Sequence, residues 1–140
     1  MKLPKVNEIT EGEYKIFDWK IISDYAKITG DSNPIHTDLE YAETTIFKEP
    51  IAQGILTASL ISALLGQTYK GIIYKNQKLF FIKPVRINTK LKAVIKCISV
   101  IPIFVIYKNY DVGFETKVID EHGNVYIDGT AKMFVWGEKI

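Results

Sequence analysis

Apolar positions change their period about halfway along the chain, which predicts helices in the first half and strands in the second. From Trp19 to Thr29 they recur at helical spacing, between Asp18, which suits an N-cap, and Gly30, which suits a helix C-terminus. Thr37 to Glu40 has a capping-box sequence and predicts a short helix that continues through Glu43. Short helices are therefore expected early in the chain.

The most apolar segment runs from Gly54 to Leu65 and predicts a central helix that Gly66 ends. Its apolar side chains fall on nearly every helical face, which is typical of a helix covered by its neighbours. Four later segments rich in Ile, Val, Tyr and Phe predict strands: Gly71 to Phe81, Leu91 to Val100, Tyr110 to Ile119 and Val125 to Trp136. This order predicts a single α+β domain over residues 1–140, with one antiparallel sheet wrapped around one long helix.

Two connections in the strand-rich half differ in character. Asp120 to Asn124 contains turn-forming residues and predicts a hairpin. Ile101 to Ile106 is more apolar than a loop should be, yet Pro102 disfavours a central strand. Such a segment would promote aggregation if it were exposed, so we expect it to be covered, with a second subunit as the candidate partner.

Composition limits what these elements can build. With 140 residues, 47% of them hydrophobic and 24% charged, the chain suits one compact domain with an ordinary core. Its uncharged runs are too short or too polar for a membrane span, and the N-terminus lacks the apolar region of a secretory signal. We therefore expect a cytoplasmic protein. One cysteine, Cys97, excludes an internal disulfide, and with only two histidines the chain is expected to hold no metal.

Charge is distributed unevenly, although the net charge is only +2. Between Gly66 and Tyr110 there is no acidic residue, whereas lysines occur throughout that stretch together with Arg86. An anionic partner would suit this surface. A phosphate-bearing small molecule or an acidic carrier protein fits better than nucleic acid, because arginine is scarce and no RNA-binding signature is present. A solvated strand face would also explain the pattern.

The residues best suited to catalysis lie near the first predicted turn. Asp31 and His36 are five residues apart across a turn that Pro34 fixes, with Asn33 kept out of helical geometry before the proline. A carboxylate can orient an imidazole, so the pair could hold a water molecule and move its protons near neutral pH. Spacing alone also allows a simpler interpretation, in which Asp31 shapes the turn and His36 is solvated.

Gly54 is a second candidate for catalysis. It follows Gln53 at the start of the predicted central helix, where unpaired N–H groups and the positive end of the helix dipole can receive an anionic oxygen. The alternative is that glycine is needed there only for close packing. The sequence leaves both interpretations open.

Two stretches resemble the signature of MaoC-like dehydratases, and most of all the (R)-specific enoyl-CoA hydratases: Ile28 to Asp38 and Pro50 to Ser62. Leu79 to Val85 is similar to the strand that follows the central helix in that family, and the resemblance extends from about Phe17 to Val135. It implies a hot-dog fold, in which a sheet wraps around a long helix. It also implies a homodimer whose sheets join edge to edge, with the active sites at the interface.

The resemblance also implies roles for individual residues. Asp31 and His36 match the catalytic pair of the family, and Gly54 matches the glycine whose backbone N–H polarises the thioester carbonyl. Three further residues are expected to bind substrate: Asn33, Gln53 and Ser62. Gln53 departs from the family, which commonly has histidine there. Because an amide exchanges hydrogen bonds but does not titrate, we expect Gln53 to tune the site without reacting.

The implied reaction is the reversible hydration of a trans-2-enoyl-CoA to an (R)-3-hydroxyacyl-CoA by a hydro-lyase of fatty acid metabolism. Coenzyme A would enter as the substrate carrier, with no metal or redox cofactor, and its phosphates are expected to meet Lys75, Lys78 or Lys83. A dehydratase acting on acyl carrier protein, or a related thioester lyase, would use the same catalytic pair and is an alternative. A non-catalytic acyl-thioester binding protein is a second alternative, which the intact pair disfavours.

Overall fold

The fold is known from a computed structural model, which describes residues 2–140. In chain order its elements are β1 (Ile9–Glu11), β2 (Lys15–Ile16), α1 (Trp19–Thr29), α2 (Pro34–Thr37), α3 (Leu39–Glu43), α4 (Gly54–Thr68), β3 (Ile73–Phe81), β4 (Lys90–Phe104), β5 (Lys108–Asp120) and β6 (Val125–Val135). The six strands form one antiparallel sheet in the order β1-β4-β5-β6-β3, with β2 also paired to β4. The predicted α+β architecture is confirmed.

The core forms where α4 packs against one face of the sheet. Strands β4, β5 and β6 alternate between buried and more exposed side chains, as expected when a sheet is covered on one side. The largest buried aliphatic and aromatic side chains of the cluster include Ile61, Leu65, Leu91, Ile95, Phe114 and Met133. Burying each such side chain contributes roughly 1.5–3 kcal/mol, so packing is the main source of stability for α4.

The central helix is longer than the sequence predicts. α4 continues through Gly66 to Thr68, and the backbone N–H of Tyr69 closes it by donating to the Leu65 carbonyl at 2.9 Å. Tyr69 is buried with its ring centroid 5.7 Å from that of Phe114, and this packing overrides the preference of glycine for a helix end. No helix among residues 2–140 is long and apolar enough to cross a bilayer.

One face of α4 is open in the single chain. Ile55 is 58% exposed, and Ser59 and Ser62 are also exposed on this side. The expectation that the helix is covered on nearly every face is therefore wrong for one chain. The apolar pattern did not reveal this face, because Ile55 and Ala63 lie on it beside the two serines and make its hydropathy similar to that of the buried faces.

The segment after α1 is more helical than the sequence predicts. Asp18 caps α1 by accepting from the Ile21 N–H at 2.9 Å, and Gly30 ends it with a φ of 77°, as predicted. Asn33 then acts as the N-cap of α2, with its side chain accepting from the Ile35 N–H at 3.4 Å. Pro34 occupies the first position of α2, where proline is favourable. His36 therefore lies on a short helix and not in a loop.

The capping residue of α3 also differs from the prediction. Asp38, and not Thr37, is the N-cap: its side chain accepts from the Tyr41 N–H at 3.1 Å. Thr37 still belongs to α2, where its hydroxyl donates to the Asn33 carbonyl at 3.2 Å. The two short helices follow each other directly, so Asp38 ends one and begins the next.

The apolar segment Ile101 to Ile106 forms the outer end of the β4–β5 hairpin. β4 extends beyond the predicted Val100, and Pro102 pairs with Tyr110 of β5. On the other side of β4, the pairing with β1 and β2 reaches only as far as Lys96, so proline stands at an edge, where its missing N–H is tolerated. The hairpin end is exposed in the single chain, and its cover by a second subunit remains a prediction.

Candidate active site

His36 is buried and held by the backbone of the segment that precedes α4. Its Nδ1 lies 2.6 Å from the carbonyl oxygen of Ile51, and only 9% of the residue is exposed. Because a carbonyl only accepts hydrogen bonds, Nδ1 carries a proton in this contact, and Nε2 of the neutral ring is the free basic nitrogen. Ile51 is itself fixed by its N–H, which donates to the Ile35 carbonyl at 3.3 Å. The fold therefore selects one tautomer of His36.

His36 and Gly54 line the same cavity, which has a volume of about 300 Å³. Most of its other walls are apolar and come from the segment before α4, from the end of β3 and from β6. These walls include Ile51, Ala52, Phe81, Ile82, Pro84, Val85 and Ile127. Lys83 also lines the cavity and brings a positive charge to it. The cavity thus combines an imidazole, a helix N-terminus and a lysine with mostly apolar walls.

Gly54 combines close packing with an unpaired backbone donor. A Cβ at this position would lie 2.7 Å from a ring carbon of Phe81, so a larger residue here would force that half-exposed ring to move. The Gly54 N–H has no backbone acceptor among residues 2–140, and Gln53 gives α4 no side-chain cap. The packing and the donor interpretations are therefore compatible at one residue.

Asp31 does not line the cavity of His36 and Gly54. It is half-buried, and its Oδ1 accepts from the Asn33 N–H at 3.0 Å, which is the turn-forming contact expected from the sequence. Its side chain borders a larger depression of about 750 Å³ beside α1, where Asp24 and Thr37 also lie. In the single chain, Asp31 and His36 open on separate cavities.

The residues predicted to bind substrate are dispersed. Asn33 caps α2, as described above. Ser62 lines a third cavity of about 380 Å³ between α4 and β3, together with Ile55, Ala58 and Leu79. Tyr74 borders the same cavity, where burial raises the pKa of its hydroxyl and the hydroxyl donates to Gln77 at 3.0 Å.

Gln53 lies beneath the site and joins α1 to the start of α4. The side chain is buried, with 3% of the residue exposed, and its Nε2 donates to the Ile22 carbonyl at 3.0 Å. Its Oε1 is the one buried side-chain polar atom without a hydrogen-bond partner among residues 2–140. An unpaired buried acceptor is costly, at roughly 1–3 kcal/mol, so this contact fixes a helix terminus at some expense in stability.

Two contributors to the site were not found from the sequence. Ile51 acts through its backbone carbonyl, which no residue type signals. Phe81 shapes the start of α4, but an aromatic residue in a predicted strand is indistinguishable from an ordinary core residue. Among residues 2–140, no group of three or more His, Cys, Asp or Glu side chains is arranged to hold a metal ion.

Comparison with known proteins gives consistent matches. Residues 10–118 match the family described as MaoC like domain. An (R)-specific enoyl-CoA hydratase of Rhodospirillum rubrum is 38% identical over 113 residues, which is 79% of this chain and 74% of that protein. A mitochondrial 3-hydroxyacyl-acyl-carrier-protein dehydratase of Arabidopsis thaliana is 31% identical over 131 residues, 92% of this chain and 76% of that protein. The unliganded R-hydratase PhaJ1 of Pseudomonas aeruginosa is 32% identical and has a TM-score of 0.85, covering 97% of this chain and 84% of that chain.

Proposed function

Because the chain belongs to the MaoC-like dehydratase family, with its hot-dog fold, we propose that it is an (R)-specific enoyl-CoA hydratase. It would add water reversibly to a trans-2-enoyl-CoA and give an (R)-3-hydroxyacyl-CoA. The observation that carries this proposal is the cavity that His36 shares with the unpaired N–H of Gly54. The hydratase named among its relatives supports it.

Gly54 would polarise the substrate. With the thioester carbonyl at the start of α4, its oxygen accepts the Gly54 N–H, and negative charge moves onto that oxygen when the double bond is attacked. A hydrogen bond aimed at charge that develops in the transition state contributes about 3–4 kcal/mol. The Ala52 N–H donates to the Val85 carbonyl at 2.8 Å and the Gln53 side chain donates to the Ile22 carbonyl at 3.0 Å, so the helix terminus is held in place before the reaction.

His36 would supply the base. Its Nδ1 proton is committed to the Ile51 carbonyl, so Nε2 accepts a proton from water while the water oxygen bonds to C3. The electron pair of the double bond moves toward the thioester, and C2 then takes up the proton that His36 removed from the water, so that one water has been added across C2 and C3 and His36 returns to its starting state. Asp31 would hold this water from the neighbouring depression, which requires the water to lie where the two cavities approach each other.

Addition of water causes no net oxidation or reduction of the substrate, so the proposed reaction needs no redox cofactor. Coenzyme A would be the substrate carrier, as the sequence predicts. The absence of a metal requirement, the homodimer and the cytoplasmic location remain predictions. An acyl-thioester substrate is what the hydratase and dehydratase relatives have in common.

A dehydratase acting on acyl carrier protein is the second candidate, because a mitochondrial relative carries that name. It would run the same chemistry in the direction of water loss and use the same residues. The carrier attached to the thioester distinguishes the two functions. Turnover of crotonyl-CoA and of crotonyl-acyl carrier protein at equal concentrations therefore decides between them.

The catalytic pair is tested by measuring the hydration of crotonyl-CoA. The loss of the enoyl-thioester absorbance gives the rate, and the configuration of the product is determined separately. Asp31→Asn and His36→Gln should each lower kcat at least 100-fold, since proton transfer by a positioned side chain contributes about 10²–10⁴-fold. Glutamine at position 36 can still donate to Ile51 but cannot titrate. The double variant should be little slower than either single variant, because the two residues act as a unit.

Matched controls exist for both substitutions. Asp24 borders the same depression as Asp31 but pairs with Lys20 at 2.7 Å, and His122 lies exposed in the turn between β5 and β6. Asp24→Asn and His122→Gln should keep the wild-type rate. Wild-type activity in either Asp31→Asn or His36→Gln, with the circular dichroism spectrum unchanged, would contradict the assignment.

A further inference from the structure

We propose that Lys83 binds the phosphate at the end of the pantetheine arm of the substrate, the 4′-phosphate that coenzyme A and acyl carrier protein have in common. This inference rests on the proposed function, because it concerns the same cavity. The sequence offers Lys75, Lys78 and Lys83 as equivalent candidates for phosphate contact. The structure separates them.

Lys75 and Lys78 are poorly placed for this role. The Nζ atom of Lys75 lies 2.8 Å from a carboxylate oxygen of Asp111, so its charge is already paired. Lys78 lies two residues before Phe80 on β3, and its Nζ is 5.3 Å from the centre of that ring. Alternate residues of a strand point to opposite faces, and Phe81 points toward the cavity. Lys78 and Phe80 therefore occupy the sheet face away from α4.

Lys83 lies on the correct face. It lines the cavity of His36 and Gly54, just after the end of β3, and its side chain is exposed. The backbone there is fixed, because the Ile82 N–H donates to the Tyr126 carbonyl at 2.9 Å. The position of Lys83 at the opening of the cavity is thus set by the sheet and not by a free loop.

The charge of Lys83 is uncompensated. Its Nζ lies 5.2 Å from the centre of the Tyr126 ring, a cation–π contact worth roughly 0.5–1 kcal/mol at an exposed site, which orients the ammonium without neutralising it. Among the residues that the structure describes, Lys83 has no carboxylate within 4 Å. Asp120, which accepts from the Tyr126 hydroxyl at 3.3 Å, is engaged by three further hydrogen bonds from the turn.

The other cation on this segment is engaged elsewhere. Arg86 donates to the Phe47 carbonyl at 2.7 Å and contacts Glu49 at 3.3 Å. Its charge is therefore already paired.

When a thioester is bound at Gly54, its pantetheine arm must pass out through the opening of the cavity, and this arm ends in a phosphate. A flexible ammonium at that opening, without an acidic neighbour of its own, suits a phosphate as a compact positive charge. The contact between Lys83 and the phosphate would be equally strong in the ground and transition states, so its loss should raise KM and leave kcat unchanged.

The test compares thioesters that differ only in the arm. Lys83→Gln should raise the KM for crotonyl-CoA and for crotonyl-4′-phosphopantetheine about tenfold, with kcat within twofold of wild type. Crotonyl-pantetheine, which lacks the phosphate, should have the same KM with both enzymes. Crotonyl-acyl carrier protein should show the same penalty as the coenzyme A substrate. Added salt should raise the wild-type KM and leave that of the variant unchanged.

Lys75→Gln and Lys78→Gln are the matched controls and should keep the wild-type KM for all substrates. Three results would overturn the proposal. The KM could be unchanged in Lys83→Gln, it could rise equally with crotonyl-pantetheine, or it could rise with crotonyl-CoA alone. Calorimetric binding of unreactive butyryl-4′-phosphopantetheine gives a readout that needs no turnover. If binding weakens about tenfold in Lys83→Gln while no enoyl thioester is hydrated, the proposed function fails and the phosphate site stands.

Discussion

At the residue scale, Gly54 is where packing and chemistry meet. Gly54→Ala should lower kcat/KM about 100-fold, because the Phe81 ring or the start of α4 must shift, and an error of about 1 Å at a catalytic group has that effect. In a Phe81→Ala background the added methyl has room, so the same substitution should cost much less. A double-mutant cycle of kcat/KM measures the difference. Gly66→Ala, in the same helix with open space around it, is the control and should keep full activity.

The outcome that would contradict this account is an equal loss of kcat/KM on Gly54→Ala with and without the Phe81 ring.

Residue types alone identified Asp31, His36 and Gly54 as candidates, because acid, imidazole and helix-start glycine each have a known chemistry. They did not identify the Ile51 carbonyl that selects the tautomer of His36, or the buried contact of Gln53 with Ile22. Backbone partners and cross-helix contacts depend on tertiary distances, which have no local sequence signal.

At the scale of elements, the β5–β6 hairpin depends on one carboxylate. Asp120 accepts hydrogen bonds from the side chain and backbone of Asn124, from the His122 N–H and from the Tyr126 hydroxyl. The contact from the Asn124 side chain is the largest influence, and together they hold the pKa of Asp120 at about 2, below its ordinary value of 3.8. Because the pKa of Asp120 is lower in the folded protein than in the unfolded chain, its ionised carboxylate stabilises the native state at pH values above the pKa of the unfolded chain. This stabilisation is lost as the pH falls toward the pKa in the folded protein.

Asp120→Asn should therefore be less stable than wild type at pH 6, and the gap should narrow between pH 4 and pH 2. Urea unfolding at several pH values measures it. A gap that is the same at pH 6 and pH 2 would show that the carboxylate charge does not matter to the turn.

The ends of helices and strands lie where capping and turn-forming residues predict them, except where tertiary packing or a neighbouring cap favours another position. Asp18 and Gly30 delimit α1 as predicted, and the turn after Asp120 is where composition places it. The prediction for Gly66 failed because burial of Tyr69 extends α4, and the one for Thr37 failed because Asp38 offers a better-placed side-chain oxygen. Tertiary packing and competition between neighbouring caps therefore account for the errors.

At the scale of the whole molecule, the sheet has one long free edge. Within residues 2–140, β3 pairs only with β6, whereas two short strands, β1 and β2, form the opposite edge. The pattern of the sequence predicted a sheet around a helix, but not this strand order, since pairing between distant segments is decided by the fold. Apolar side chains are exposed on and just after β3: Ile73, Tyr74, Phe80, Phe81 and Ile82. An unpaired strand with exposed apolar side chains associates readily with another sheet.

We therefore expect a homodimer with β3 at the interface, and activity that belongs to the dimer, because Asp31 and His36 open on separate cavities in a single chain. Phe80→Glu should shift the protein toward monomer in sedimentation velocity and lower specific activity at least tenfold. Ile28→Glu introduces the same charge at an 82% exposed position on α1, away from the edge, and should change neither property. Wild-type specific activity should also fall on dilution, at the concentration where the dimer dissociates. A monomer with full activity would show that one chain completes the site and that the free edge of β3 has no part in catalysis.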